Sequence, residues 1–524
     1  MPGPTRTPRR IVATLLGLLL VTTACTHPRD PGTAVVGLEG NPTTLDPRFA
    51  VDAYSTRILP LIFESLVNIG PDGDVRPGLA SSWEIDEAGT TYRFALREAA
   101  KFSDGAPLTV DDVVANLDYL RDPANKSPAA GALEPITDVR NDGGVLIIEL
   151  SHPYAPFLVK LARGIVPAAK LDDPAFGDAP VGSGPYRVAR FARGSAIELV
   201  PNPHYAGPAP TIARVRFEVI SDETTRMLKM KNGDLDLLQN CTPPYALKHF
   251  ARLPGIAVDR APGINYSYLG FNLDDPFGVV NDARVRRSIA HAIDRTQIID
   301  TLLKGQAREA DGLLAPENWA HADGLPTHPY SPERARALLD ESGHPDPDGD
   351  GPRPRFTLSY KTSTDRLRNR IAEVIARQLA DVGIALEKRS FEWGTFFADI
   401  KSGNFQTYTL TWVGVTDPDH LFYVFHSSMM PPAGANRGRY SNARVDDLLE
   451  AARIEQDRAK RRALYADAQR QIAKDVVYVD LWWAENIVVR RTRLEGFVPY
   501  PGGEYTSLST ARLMDEPSTS RVAP

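Results

Sequence analysis

The sequence predicts an α/β protein of two or three lobes built on open sheets, and three observations carry that expectation. The chain has 524 residues, more than one compact core accommodates when domains run to about 150 residues. Apolar residues make up 42% and charged residues 24%, a globular balance that excludes both a disordered chain and an integral membrane protein. Beyond residue 265, strand-like and helix-like patterns alternate, which favours α/β units over a sandwich.

The elements follow in order. Thr33 to Leu38 reads as a first strand. Leu61 to Val67 reads as the end of a helix, before a Pro71-Asp72-Gly73 turn. Thr90 to Arg97 alternates as a strand. Thr109 and Asp112 form a capping-box start to a helix in which Val113, Leu117 and Leu120 share a face. Asp282 caps a helix predicted to carry Val285, Ile289, Ile293 and Leu303 on one side and to stop at Gly305. A second helix aligns Leu367, Ile371, Val374 and Val382 and stops at Gly383. Strand Ile384–Lys388, helix Trp393–Lys401 and strand Gln406–Trp412 complete the pattern.

The first 24 residues stand apart from the fold. Arg9 and Arg10 precede an apolar run from Ile11 to Val21, followed by small residues before Cys25. This is the pattern of an export signal, and the run is too short to span a bilayer comfortably. Thr23-Ala24-Cys25 resembles a bacterial lipobox, with Thr22 where such boxes usually carry Leu. That resemblance implies lipidation of Cys25 and a membrane anchor of several acyl chains. Residues 25–32 then read as a tether. The only other cysteine is Cys241, so no internal disulfide is expected, and Cys241 reads as a lone small residue.

Acids outnumber bases by 66 to 60. The leader holds Arg6, Arg9 and Arg10 and no acid, so its removal takes the net charge from −6 to −9. No nucleic-acid partner is expected from that balance. Phosphate-loop, nucleophile-elbow and zinc-protease spacings are all missing, so catalysis is not expected. A secreted hydrolase stays open as an alternative, because triads assemble in space rather than in sequence. Asp346-Pro347-Asp348-Gly349-Asp350-Gly351 matches the start of a calcium loop, but Thr357 stands where the bidentate Glu belongs, so a surface turn is the preferred reading. His420 and His426 are six residues apart without a third ligand nearby, so no metal and no cofactor are expected.

Further stretches carry a family resemblance: Asn41–Pro47, Ile62–Leu66, Pro77–Trp83, Lys101–Thr109, Val181–Tyr186, Asn232–Asp236, Gly270–Asn272 and Arg284–Ala290. In their order and spacing they resemble the extracellular solute-binding proteins, family 5, which serve dipeptide, oligopeptide and nickel importers. The resemblance implies a two-lobed periplasmic binding protein type 2-like fold with an extra subdomain in the larger lobe. Lobe I would take 33–49, 176–265 and 488–515, the extra subdomain 50–175, lobe II 266–487, and a C-terminal tail 516–524. It also implies capture of a peptide or peptide-like solute in the interlobe cleft by an exported, monomeric lipoprotein. Delivery would be to the permease subunits of an ABC importer, with a nickel or metallophore receptor as the alternative.

The same resemblance nominates the ligand-binding residues. Trp412 ends a strand and resembles the tryptophan lining the family's cleft, where an indole offers a flat apolar wall and one donor. Gly414 follows it. Val51 and Asp52, just past the first strand, and Tyr266 and Tyr268, which share a strand face, complete the set. One departure stands out: peptide receptors of this type usually place an Asp three residues after the cleft tryptophan to hold the ligand's ammonium, and this chain has Val415. Asp417 and Asp419 are the alternative anchors; otherwise Val415 gives an apolar contact to a ligand that lacks a free α-amine or is a modified, cyclic or non-peptide solute.

Overall fold

The computed structural model describes residues 30–515 apart from Phe277 and Asp350. Cys25, the leader and the tail 516–524 lie outside the described residues.

All six residues of strand Thr33–Leu38 are buried. A continuous apolar strand of this kind suits a parallel position covered on both faces, and it pairs in parallel with Arg214–Val219 and Leu237–Gln239. On the other side of the molecule, Phe356–Ser363 pairs in parallel with Ile384–Phe391 and Thr407–Trp412. Two long antiparallel strands, Ile256–Phe271 and Tyr478–Arg491, join these groups into one eleven-stranded sheet.

The halves of the long strands serve different cores. Ile256, Ile487 and Val489 pack with Met230, Leu247 and Phe250. Tyr266, Tyr268 and Tyr478 pack with Trp412. Between them the register shifts from Ala261 to Asn265, a bulge that bends the ladder. Gly263 sits in that bulge, where a Cβ would stand 2.1 Å from the Ala484 carbonyl oxygen. A third unit is an antiparallel sheet of Ala80–Ile85, Thr91–Leu96, Val145–Leu150 and Ile136–Asp142, with a core of its own. Helix Val110–Arg121 covers it, opened by the expected Thr109–Asp112 capping box.

Two local expectations are corrected. The helix predicted to run to Val67 ends at Ile58 and gives way to a single 3-10 turn, Leu59–Leu61. Pro60 cannot donate a backbone hydrogen bond there, and Val67 begins a strand. The helix predicted from Asp282 to Gly305 is two helices, Ala283–Ala292 and Arg295–Thr301. Ile293 is extended, and Asp294 caps the second helix by accepting from the Gln297 N–H at 2.8 Å. The break is held by the buried Arg295 guanidinium, which donates to the carbonyls of Ala290 (3.2 Å) and His328 (3.0 Å). The helix Arg366–Ala380 and the succession Ile384–Phe391, Trp393–Ser402, Thr407–Trp412 follow the predicted pattern.

Candidate functional site

Parallel strands end at a common edge, and in open α/β sheets ligands bind outside the carboxyl ends of the strands. Trp412 is the last residue of its strand. Alternation places Tyr408, Leu410 and Trp412 on one face, all buried. Opposite them, Tyr266 pairs with Trp412 and Tyr268 with Leu410.

These rings form one group. Tyr268 stacks on Tyr266 at 5.7 Å, on Trp412 at 6.3 Å and on Tyr478 at 4.0 Å. The Arg437 guanidinium lies 4.4 Å from the Trp412 centroid and 5.2 Å from that of Phe397. Among the described residues its one hydrogen bond runs from Nη1 to the Tyr268 hydroxyl at 3.3 Å. His420 meets the indole edge-on at 4.9 Å. Burial first, and then the charge of Lys160, push the His420 imidazole down to about 4, Asp419 pulling the other way. Its ring is therefore neutral at pH 7. Burial likewise raises the Tyr266, Tyr408 and Tyr478 hydroxyls well above their ordinary range, so they remain protonated.

The nominated residues do not all converge. Trp412, Tyr266 and Tyr268 come together as expected, but the tyrosines are fully buried and the indole is 9% exposed. The tryptophan is thus a core side chain as much as a wall. Tyr266 spends its hydroxyl on the Asp480 carboxylate. Gly414, at φ +69°, turns the chain out of the strand and donates its N–H to Asn265 Oδ1 at 3.1 Å. Val415 is 1% exposed and belongs to the core with Leu421 and Phe422. Val51, just past strand Thr33–Leu38, is exposed, while the Asp52 carboxylate caps its own helix by accepting from Ser55 and Thr43.

Asp417 and Asp419 are committed within the protein. Asp419 accepts from the Tyr154 hydroxyl at 3.0 Å and makes ion pairs with Arg453 at 3.0 Å and Lys160 at 3.5 Å. Asp417 accepts the Asp419 backbone N–H at 2.8 Å, and burial pushes its carboxyl up against the opposing charge of Lys160. The Lys160 ammonium thus serves both carboxylates, as an ion pair to Asp419 and as the nearby opposite charge for Asp417.

Arg437, Tyr408, Tyr478, Lys160 and Arg453 went unnoticed in the sequence. Tyr408 had a signal, since it lies four residues before Trp412 and so on the same strand face. Arg437 and Lys160 had none, because only tertiary packing brings them to the indole and its loop. Of the other candidates, His426 stacks on Phe422 at 4.2 Å and bonds Ser428, apart from the His420 contact with Trp412. Asp348 accepts from Arg353 in a surface turn. Among the described residues, no group of three or more His, Cys, Asp or Glu is placed to hold a metal ion, and no helix is long and apolar enough to cross a membrane. Cys241 is buried and unpaired, its thiol pushed up to about 12 by burial.

Known proteins resolve what this architecture is. Residues 74–429 match the model of the bacterial extracellular solute-binding proteins, family 5. Protein XP55 of Streptomyces lividans is 30% identical, the alignment covering 96% of this chain and 95% of that one. The nickel-binding periplasmic protein of Escherichia coli is 29% identical over 84% of this chain and 87% of its own. The oligopeptide-binding protein AppA of Bacillus subtilis, solved with a nonapeptide, superposes with a TM-score of 0.77 at 25% identity, covering 92% of this chain and 99% of that one. The chain belongs to the family 5 solute-binding proteins, and its fold is theirs.

Proposed function

We propose that this protein is the capture subunit of an ABC importer, exported and held to the membrane through lipid on Cys25, which takes up a peptide-like organic solute without chemical change. The cleft lies between the lobe built on strand Thr33–Leu38 and the lobe carrying Trp412, the extra unit 50–175 moving with the former. The observation that carries this reading is the aromatic group at the carboxyl end of the Trp412 strand, whose buried indole N–H faces the Tyr478 hydroxyl and, among the described residues, completes no well-formed hydrogen bond. A ligand oxygen would satisfy it, and buried donors are otherwise nearly always paired. The nickel alternative has less support, since His420 and His426 face different neighbours.

The test is retention of solute by residues 26–524, incubated with a defined mixture of short peptides and analysed by native mass spectrometry. Retained, unhydrolysed peptides are expected, with retention weakened by about 2–4 kcal/mol in a folded Trp412→Ala variant, the scale of an aromatic hot spot. Hydrolysed products, or no retained solute at all, would defeat the reading.

A further inference from the structure

We propose that the Trp412 end of the cleft is a receptor for the anionic end of the solute, a carboxylate, with Arg437 as the residue that sets this specificity; the inference rests on the cleft being the capture site.

The argument is one of donors and acceptors. Trp412 is nine-tenths buried, and its Nε1–H, which can only donate, lies near the Tyr478 hydroxyl but completes no well-formed hydrogen bond among the described residues. The Arg437 guanidinium carries five N–H donors and no acceptor. Against them stands, among the described residues, a single hydrogen bond, to the Tyr268 hydroxyl. Among the described residues its other neighbours are the faces of Trp412 and Phe397, and no carboxylate pairs with it. His420 Nε2 is likewise buried and unpartnered beside the indole.

Acceptors of the opposite kind are missing. Val415 is apolar and turned into the core. Asp419 is consumed by Tyr154, Lys160 and Arg453, and Asp417 sits under the fields of Lys160 and Arg461. A ligand ammonium would find no free carboxylate here and several cations. A carboxylate would accept from the indole and from two N–H groups of the guanidinium fork, the geometry for which arginine is suited. The stacked rings hold the guanidinium plane in place, and Arg437 and His420 remain partly exposed, so the site is open to solute.

The test uses three probes: N-acetyl-alanyl-alanine, its C-terminal amide, and alanyl-alaninamide, which has an ammonium and no carboxylate. Each is titrated into the mature protein carrying nitrogen-15 tryptophan, reading the indole N–H resonance that disappears in Trp412→Phe. The acid is expected to move that resonance saturably and to bind at least tenfold more tightly than either amide. Arg437→Met should abolish the preference, and Arg437→Lys should retain part of it. Equal binding of acid and amide by the wild type, a preference for alanyl-alaninamide, or no response to the acid overturns the proposal. So does an acid preference that survives in Arg437→Met. A protein that retains acid and amidated peptides alike keeps its capture function and loses only this specificity.

Discussion

Replacing Asp419 with Asn should loosen the seam between the four-stranded unit and the unit that carries Trp412 more than it loosens either unit. The carboxylate is 7% exposed and links two units that are far apart in sequence. Tyr154 and Lys160 come from beside the four-stranded sheet, and Arg453 comes from the unit that carries Trp412. The same seam holds the Ala155 N–H, donating to the Arg453 carbonyl at 2.7 Å, and an Asp74–Arg458 ion pair. At an effective dielectric near 20, charges 3.0–3.5 Å apart attract by about 5 kcal/mol per pair. Desolvation returns most of that, and removing one partner of a buried pair costs about 3–5 kcal/mol. Asparagine keeps the shape and can still accept from Tyr154, so the lower end, about 3 kcal/mol, is expected. If the lobes part when solute leaves, the loss falls on the closed state and weakens solute binding roughly a hundredfold. Calorimetric titration of a retained peptide, with small-angle scattering of the free protein, reads the effect. An unchanged affinity together with a lower unfolding midpoint would refute the reasoning, for the seam would then be a permanent interface.

Val415→Asp should lose about 3 kcal/mol or more in urea unfolding, because it buries an unpaired carboxylate among Leu421 and Phe422; native stability would mean that the side chain faces the cleft. Burial, only partly offset by the Tyr266 hydrogen bond and by Arg295, raises the Asp480 carboxyl to about 6. The native state therefore binds its proton more tightly than the unfolded chain does, so stability is lost as pH climbs from about 4 to 6 and stays lower above, by about 3 kcal/mol. Asp480→Asn should flatten that slope, gaining on the wild type at pH 7.5 and not at pH 4, and parallel midpoint curves for the two proteins would dispose of the assignment. Cys25→Ser should leave a folded protein that no longer sediments with membranes, whereas unchanged sedimentation and the absence of lipid mass on the wild type would count against the anchor.

Much of the fold was legible because it is written in short spacings. The apolar run Thr33–Leu38, the Thr109–Asp112 box and the alternation through Tyr408, Leu410 and Trp412 each need only a few neighbours to act. Where the spacing rule failed, a contact from afar had overridden it. The helical pattern runs unbroken past Ile293, yet the chain breaks there because Asp294 caps a new helix and Arg295 reaches His328. Only the tertiary structure decided the electrostatics of the site. Tyr154 and Asp419 are 265 positions apart, and Lys160 likewise reaches Asp419 from the other unit. Arg437 reaches the indole from a loop with no periodicity of its own. Pattern along a chain reports which face a residue turns to its own element. Which charge it meets there depends on how separate elements pack, and that pairing is what surrounds the Trp412 end of its strand with Arg437, Lys160 and the committed Asp419.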